Sequence, residues 1–377
     1  MFENLSLHEL QIYWWVIISL LGGLFVFIMF VQGGQTLLRE LSENETEKTM
    51  LVNSLGRKWE LGFTTLVLFG GALFAAFPLF YATSFGGAYW VWLAILFTFI
   101  VQAVSYEYRA KPSNVFGAKT YETFLAINGY LGTFLLGTAI STFFSGADFR
   151  LDEHNFVHWM NPTRGLEALL VWQNYLLPFA MIFLVRIIGG MYFLNNIDHE
   201  PIHAKTRAMI KRNIVYFLPF FLSFAGWVLF KEGYAYDPVT KAVFLIPMKH
   251  LMTFIELPWI GAMFLIGVVM VLIAVFNSVF RTKNCCIFTV GAGTVLAVMA
   301  LLLNVGLNGT SYYPSVYDLR HSLTIENSSG SHYTLTAMSY ASLMVPFVLA
   351  YIAYVWHLMD RVKITEEEIT SSGEHHY

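Results

Sequence analysis

Asn53-Ser54-Leu55-Gly56-Arg57-Lys58-Trp59-Glu60, followed by Gly70-Gly71-Ala72-Leu73-Phe74-Ala75-Ala76-Phe77-Pro78, is the stretch that decides how this chain is read. A charged cluster ends in an acid at the mouth of an apolar helix. That helix carries small residues four apart, at Gly71/Ala75 and Ala72/Ala76. Small pairs at this spacing let two helix backbones approach closely in lipid. The carboxylate of Glu60 therefore stands where a packed bundle begins, and an ionisable group at such a place is either an interfacial anchor or an entrance for protons.

Composition widens this into a class. Hydrophobic residues make up 56% of the chain and charged residues 12%, and the mean hydropathy is +0.58. These values belong to a polytopic membrane protein rather than to two water-soluble domains. The net charge of -3 points to neither nucleic acid nor acidic substrates. The two cysteines, Cys285 and Cys286, are adjacent, so they supply neither a disulfide framework nor a zinc site. Glu3 and Glu9 near the N-terminus, without a basic region or a small-residue cleavage site, imply that the first apolar run is retained.

About 20 apolar residues cross a bilayer, and nine runs qualify. They are Ile12 to Val31, Phe63 to Tyr81, Ala88 to Ser105, Phe124 to Phe144, Leu166 to Ile188, Ile214 to Phe230, Trp259 to Phe280, Cys285 to Leu307 and Ala337 to Leu358. The sixth is the shortest and contains Pro219, but Trp227 and the flanking Arg212 and Lys231 favour a span over a re-entrant segment. With the N-terminus outside, 15 of the 22 Lys and Arg residues fall on the inner side and six on the outer side. The positive-inside rule thus gives nine spans with the C-terminus cytoplasmic.

The expected fold is all-α: a four-helix bundle over 1–144, a second over 166–307, a peripheral ninth helix over 337–358 and a solvated cytoplasmic tail over 359–377. Gly33-Gly34 after the first span and Gly189-Gly190 at the end of the fifth form a weak internal echo. Each leads through a polar loop to a basic pair, Arg57-Lys58 or Lys211-Arg212. A repeat of two four-span halves explains the echo, and coincidence explains it as well.

Haem in a helical bundle needs inward-facing axial ligands near mid-span. None of the 11 histidines lies mid-span on these boundaries. His250 and His357, at span edges, read as interfacial imidazoles. Mid-span methionines such as Met29 and Met270 read as packing. Phosphate loops, zinc spacings and nucleophile elbows are missing from the sequence. What remains is polar groups at span ends, Glu60, Glu107 and Arg109, with Gln102, Asn128 and Arg186 further in. Glu60 and Glu107 face the same cytoplasmic side, as a proton-uptake path or cation vestibule requires. They serve equally well as ion-pair partners of Lys58 and Arg109.

The chain resembles subunit II of the cytochrome bd-type quinol oxidases over essentially its whole length. The resemblance is carried by Trp14-Trp15, by Asn53-Ser54 before Trp59-Glu60, by Gly70 to Pro78 with Tyr81, by Glu107-Tyr108-Arg109, and by the exit Arg361-x-Lys363-Ile364-Thr365. It implies a respiratory heterodimer in the bacterial inner membrane that passes electrons from quinol to oxygen. Subunit I would bind haems b and d and the quinol, this chain would bind no cofactor or metal itself, and a small third subunit has a place in such complexes. Several positions depart from the family pattern. The Gly-rich motif that bears an aspartate in better-known members reads Phe30-Val31-Gln32-Gly33-Gly34-Gln35 here. The family's acids appear as Glu60 and Glu107, a Trp is replaced around Thr64-Thr65, and an Arg of the third span appears as Gln102. Acid function survives these changes, whereas quinone, lipid or oxygen-path details tied to the missing Asp, Trp and Arg do not transfer.

The leading expectation is therefore a haem-free oxidase subunit with Glu60 and Glu107 as proton-path residues. Trp59, Lys58, Arg109, Gly71 and Ala75 are expected to support them or to form an interface. A secondary transporter and a purely structural partner are the rival readings.

Overall fold

The computed structural model describes residues 2–371. Among the described residues, nine helical segments are long and apolar enough to cross a membrane: Leu7–Gln35, Glu45–Ala76, Tyr89–Tyr108, Ala118–Ser145, Trp172–Asn196, Glu200–Phe230, Pro258–Phe280, Ile287–Gly306 and His332–Asp360. They are numbered as spans one to nine; outer names the end of the bundle at which span one starts, and inner the opposite end. Span one starts under a capping box, in which the Ser6 hydroxyl accepts from the Glu9 backbone N–H while the Glu9 carboxylate accepts from the Ser6 backbone. Span six keeps its helix through Pro219 and extends inward to Glu200, well beyond its apolar part.

The fifth span departs from expectation at its outer end. Leu166–Leu170 and Trp172–Tyr175 form short 3-10 turns, and the α-helix proper begins at Leu176. The apolar run misled because Glu167 turns back to accept from the Gly165 backbone and the Thr163 hydroxyl, holding this segment as an outer loop. Two short antiparallel hairpins complete the outer surface, Phe149–Leu151 with Val157–Trp159 and Glu232–Tyr236 with Val243–Pro247.

Span one is the central helix, packed against spans two, five and eight and the first half of span nine. Three of the four echo glycines lie where spans one and five cross, Gly33 against Val185 and Gly34 against Gly189, while Gly190 packs against Met209 and Thr206 of span six. A Cβ at Gly189 would fall 2.6 Å from the Gly34 nitrogen and 2.8 Å from the Phe30 carbonyl oxygen. Spans seven and eight cross in the same way, with a Cβ at Gly267 only 2.6 Å from the Ala297 nitrogen and 2.7 Å from the Gly293 oxygen. Lipid offers no hydrophobic drive for helices to associate, so such backbone contact supplies the dispersion energy that holds these crossings together.

The tail from 359 is not wholly solvated, and its last residues, 372–377, lie outside those described. Ile364 is fully buried; its N–H donates to the Asn196 carbonyl at 3.0 Å, and its own carbonyl accepts from Asp198 at 2.9 Å. This short bridge ties the chain beyond span nine to the inner end of span five.

Candidate functional site

The site begins at a break in span two. Helix Glu45–Gly56 stops, the chain turns at Arg57 and Lys58, and a second helix runs from Trp59 to Ala76. The turn sends the two basic side chains in different directions. Lys58 is buried, its Nζ donating to Asp360 Oδ1 at 3.0 Å and lying 5.2 Å from the Trp356 ring centroid. A buried ammonium needs such partners, because an unpaired charge away from water is strongly destabilising. Asp360 Oδ1 also accepts from Asn196 Nδ2 at 3.0 Å and from the Tyr192 hydroxyl at 3.3 Å. Arg57 points outward and donates to the carbonyls of Met359 at 3.1 Å and Val362 at 3.3 Å, and to Glu368 at 3.2 Å. The basic pair thus holds the inner end of span nine.

Glu60 stands beside this knot, at an exposed position on a groove between spans two and nine of about 300 Å³, lined also by Arg57, Tyr351, Val355, Trp356 and Met359. Among the described residues it has no ion-pair partner; the lysine two positions earlier is committed to Asp360. Glu107 is also exposed and pairs with Lys111 one turn further on. Arg109 is buried, donating from Nη2 at 3.1 Å and from Nε at 3.3 Å to Glu122 Oε1, and its guanidinium lies 3.6 Å from Glu45. Lys48 reaches the other Glu122 oxygen at 3.5 Å.

The sequence-based pairing of Glu60 with Lys58 and of Glu107 with Arg109 is therefore incorrect. Residues two apart do not face each other on a helix, so each base turns inward while its neighbouring acid stays at the surface. Glu60 follows Trp59 and Glu107 follows Tyr106, and because these two rings stack with centroids 5.6 Å apart the two acids stand at the same end of spans two and three.

Trp59 stacks on Tyr106 of span three, with ring centroids 5.6 Å apart and planes at 13°. Of the two packings open to the small-residue face, within the bundle or at an interface, the first is not made by Gly71. Span two buries Gly62, Leu66, Gly70, Leu73 and Ala76, so Gly71, a hundred degrees round the helix from Gly70, is exposed. A Cβ there would meet nothing within 4 Å. Ala75 is half-buried. Neither residue makes a close helix crossing within this chain.

Asp360, Glu122, Asn196 and Tyr192 were missed in the sequence. Only Asp360 left a local sign, as a lone acid closing an apolar span.

His250, read as an interfacial imidazole, is instead buried at the outer end, its Nδ1 2.7 Å from Asn304 Oδ1. Burial pushes it down to about 4. Lys231 nearby donates to the Phe144 carbonyl, and burial brings it down to about 8.

Residues 10–359 match the family described as cytochrome bd terminal oxidase subunit II. The chain belongs to this family. Subunit 2 of the cytochrome bd-I ubiquinol oxidase of Escherichia coli K12 is 27% identical over 96% of this chain and 96% of its own length. Subunit 2 of the Bacillus subtilis cytochrome bd ubiquinol oxidase is 26% identical, covering 96% of this chain and 98% of its own. The fold matches a chain of the bd oxidase of Geobacillus thermodenitrificans with a TM-score of 0.65 at 12% identity, over 93% of this chain and 98% of that one.

The protein is thus subunit II of a cytochrome bd-type quinol oxidase, a multi-pass protein of the bacterial inner membrane, and a partner subunit I is implied. Membership of the oxidase family displaces the transporter reading. Within this bd subunit, Gln32 of the segment Phe30–Gln35 donates from Nε2 to Gln102 Oε1 of span three at 2.9 Å.

Proposed function

We propose that this subunit forms a haem-free wall of the oxidase and carries an entrance for the protons consumed when oxygen is reduced to water. Haems b and d and the quinol are held by subunit I. The observation that carries the proton reading is the setting of Glu60. It is a carboxylate at the inner end of a span, open to water along a groove, and held by no cation among the described residues. A carboxylate so placed exchanges protons without the full cost of burial. Glu107 is the second candidate at the same face, and its pairing with Lys111 makes it the weaker of the two.

Lys58 and Asp360 keep the groove in shape by fixing span nine against span two, and Trp59 positions the start of span two on Tyr106. The exposed small face at Gly71 and Ala75 is left for the partner subunit or for lipid.

The test is Glu→Gln substitution at positions 60 and 107 in the complex, which keeps shape and hydrogen bonding but removes the titrating proton. Glu60→Gln should slow steady-state quinol oxidation, most at high pH where protons are scarce, with haem content unchanged. Glu107→Gln should have the smaller effect. Wild-type turnover at every pH in both variants and in the double variant would leave the subunit a purely structural partner.

A further inference from the structure

A ladder of buried polar side chains climbs the first four spans. On span three, Arg109, Tyr106, Gln102 and Thr98 lie three or four residues apart and share one face; span four contributes the buried Glu122, Asn128 and Thr133. Span one adds Gln35 and Gln32 between them. The lowest rung is the Arg109–Glu122 pair, with a distance of 3.1 Å. Above it Gln35 Nε2 donates to the Tyr106 hydroxyl at 3.2 Å. Next, Gln32 Nε2 donates to Gln102 Oε1 at 2.9 Å and to Asn128 Oδ1 at 3.3 Å. At the top Asn128 Nδ2 donates to Thr98 Oγ1 at 3.3 Å. Eleven residues separate Arg109 from Thr98, a rise of about 16 Å and so about half the hydrocarbon core. Span four is π-helical over Asn128–Gly132, the wide turn that brings Asn128 into this line.

The ladder does not satisfy itself. Gln32 Oε1, Gln35 Oε1, Gln102 Nε2 and Thr133 Oγ1 are buried and, among the described residues, have no hydrogen-bond partner. All four side chains are more than nine-tenths buried. Acceptors and donors are both represented, which is the condition for bridging by water and not for coordinating a cation. There is also room. A Cβ built on Gly62 of span two would sit 3.7 Å from Gln32 Oε1 and 3.6 Å from its Nε2, ordinary contact distances, so a methyl-sized space adjoins an orphaned acceptor.

We propose that this ladder is a hydrated half-channel, in which ordered water beside Gly62 and Gln32 joins the orphaned amide and hydroxyl groups. It brings water and exchangeable protons to mid-membrane depth in the first four spans. The Arg109–Glu122 pair stands at its inner end, and it is separate from the groove of Glu60. The neutral amides suit this role, since each bears both a donor and an acceptor and bonds water through either.

Two measurements on the intact oxidase decide the matter. Alanine exceeds glycine in helix propensity, so Gly62→Ala should raise the melting temperature if the space beside Gln32 is dry. On the hydrated reading the new methyl displaces a water, strands Gln32 Oε1 and lowers the melting temperature; a rise or no change would overturn the proposal. Electron cryo-microscopy at a resolution that reveals ordered water should show density within hydrogen-bond distance of Gln32 Oε1 and Gln102 Nε2. A map showing these amides bonded only to protein atoms would also overturn it.

Discussion

The ammonium of Lys58 and the carboxylate of Asp360 form a buried ion pair at 3.0 Å between residues 302 positions apart in the chain. The pair joins the start of span two to the end of span nine, and the tyrosine and asparagine of span five that also bond Asp360 Oδ1 make it a three-span knot.

Breaking this pair from one side strands a buried charge. Lys58→Met should destabilise the assembled subunit by about 3–5 kcal/mol. Lys58→Met combined with Asp360→Leu should recover most of that loss, because an apolar pair of similar volume leaves no charge unpaired. Thermal melting of the purified complex checks both; equal melting temperatures for the single and double variants would show that the pair is not coupled.

The glycine positions should respond in opposite ways. Gly189→Ala places a methyl against the backbone of span one and should cost about 1–3 kcal/mol or more. Gly71→Leu should leave the packing within the subunit intact, as nothing lies within 4 Å of its Cβ position. Yield and melting temperature of the complex distinguish them. Loss of subunit I from the Gly71→Leu variant alone would place that face against the partner, and full assembly would place it toward lipid.

A pH response follows from His250. Its imidazole titrates near 4 in the fold, against an ordinary 6.5, because burial disfavours the cation and Lys231 and Lys249 repel it. As pH falls below 6.5 the unfolded chain takes up a proton that the folded chain refuses until about pH 4. Stability therefore drops across that window, by at most about 1.4 kcal/mol per pH unit, and is unaffected by this group above it. His250→Gln should flatten the decline in melting temperature between pH 6.5 and 4, and an unchanged slope would count against the assignment.

Expressed without its partner, the subunit should purify without haem. The buried imidazoles are His203, in the first turn of span six, and His250, in the short helix Lys249–Glu256 outside the spans, hydrogen-bonded to the Ile197 carbonyl at 2.7 Å and to Asn304 at 2.7 Å. An absorption spectrum settles this; stoichiometric haem lost on changing His250 or His357 would contradict it.

Much of the fold was legible because lipid makes strong demands on sequence. Runs of apolar residues, Trp227 and the basic residues at the inner ends mark the nine spans, and Gly33, Gly34 and Gly189 mark a crossing. Long-range pairing left no such trace. Nothing near Lys58 names Asp360 as its partner, and nothing near Arg109 favours Glu122 over Glu107. For Gly71 the four-residue spacing identifies a smooth helix face without saying which way it turns, so the sequence left open whether it packs within the bundle or against a partner. Leu166–Leu170 was misjudged because hydropathy is blind to the backbone hydrogen bond that Glu167 accepts.

The central claim is that Glu60 admits protons, and the most direct measurement is of proton uptake itself. The fully reduced complex, in vesicles with the inner face outward, is mixed with oxygen in the presence of a pH-indicating dye. Glu60→Gln is expected to delay uptake from the inner side relative to the wild-type complex, with haem content and initial oxygen binding unchanged. Uptake at the wild-type rate, in a variant with full haem content, would contradict the account.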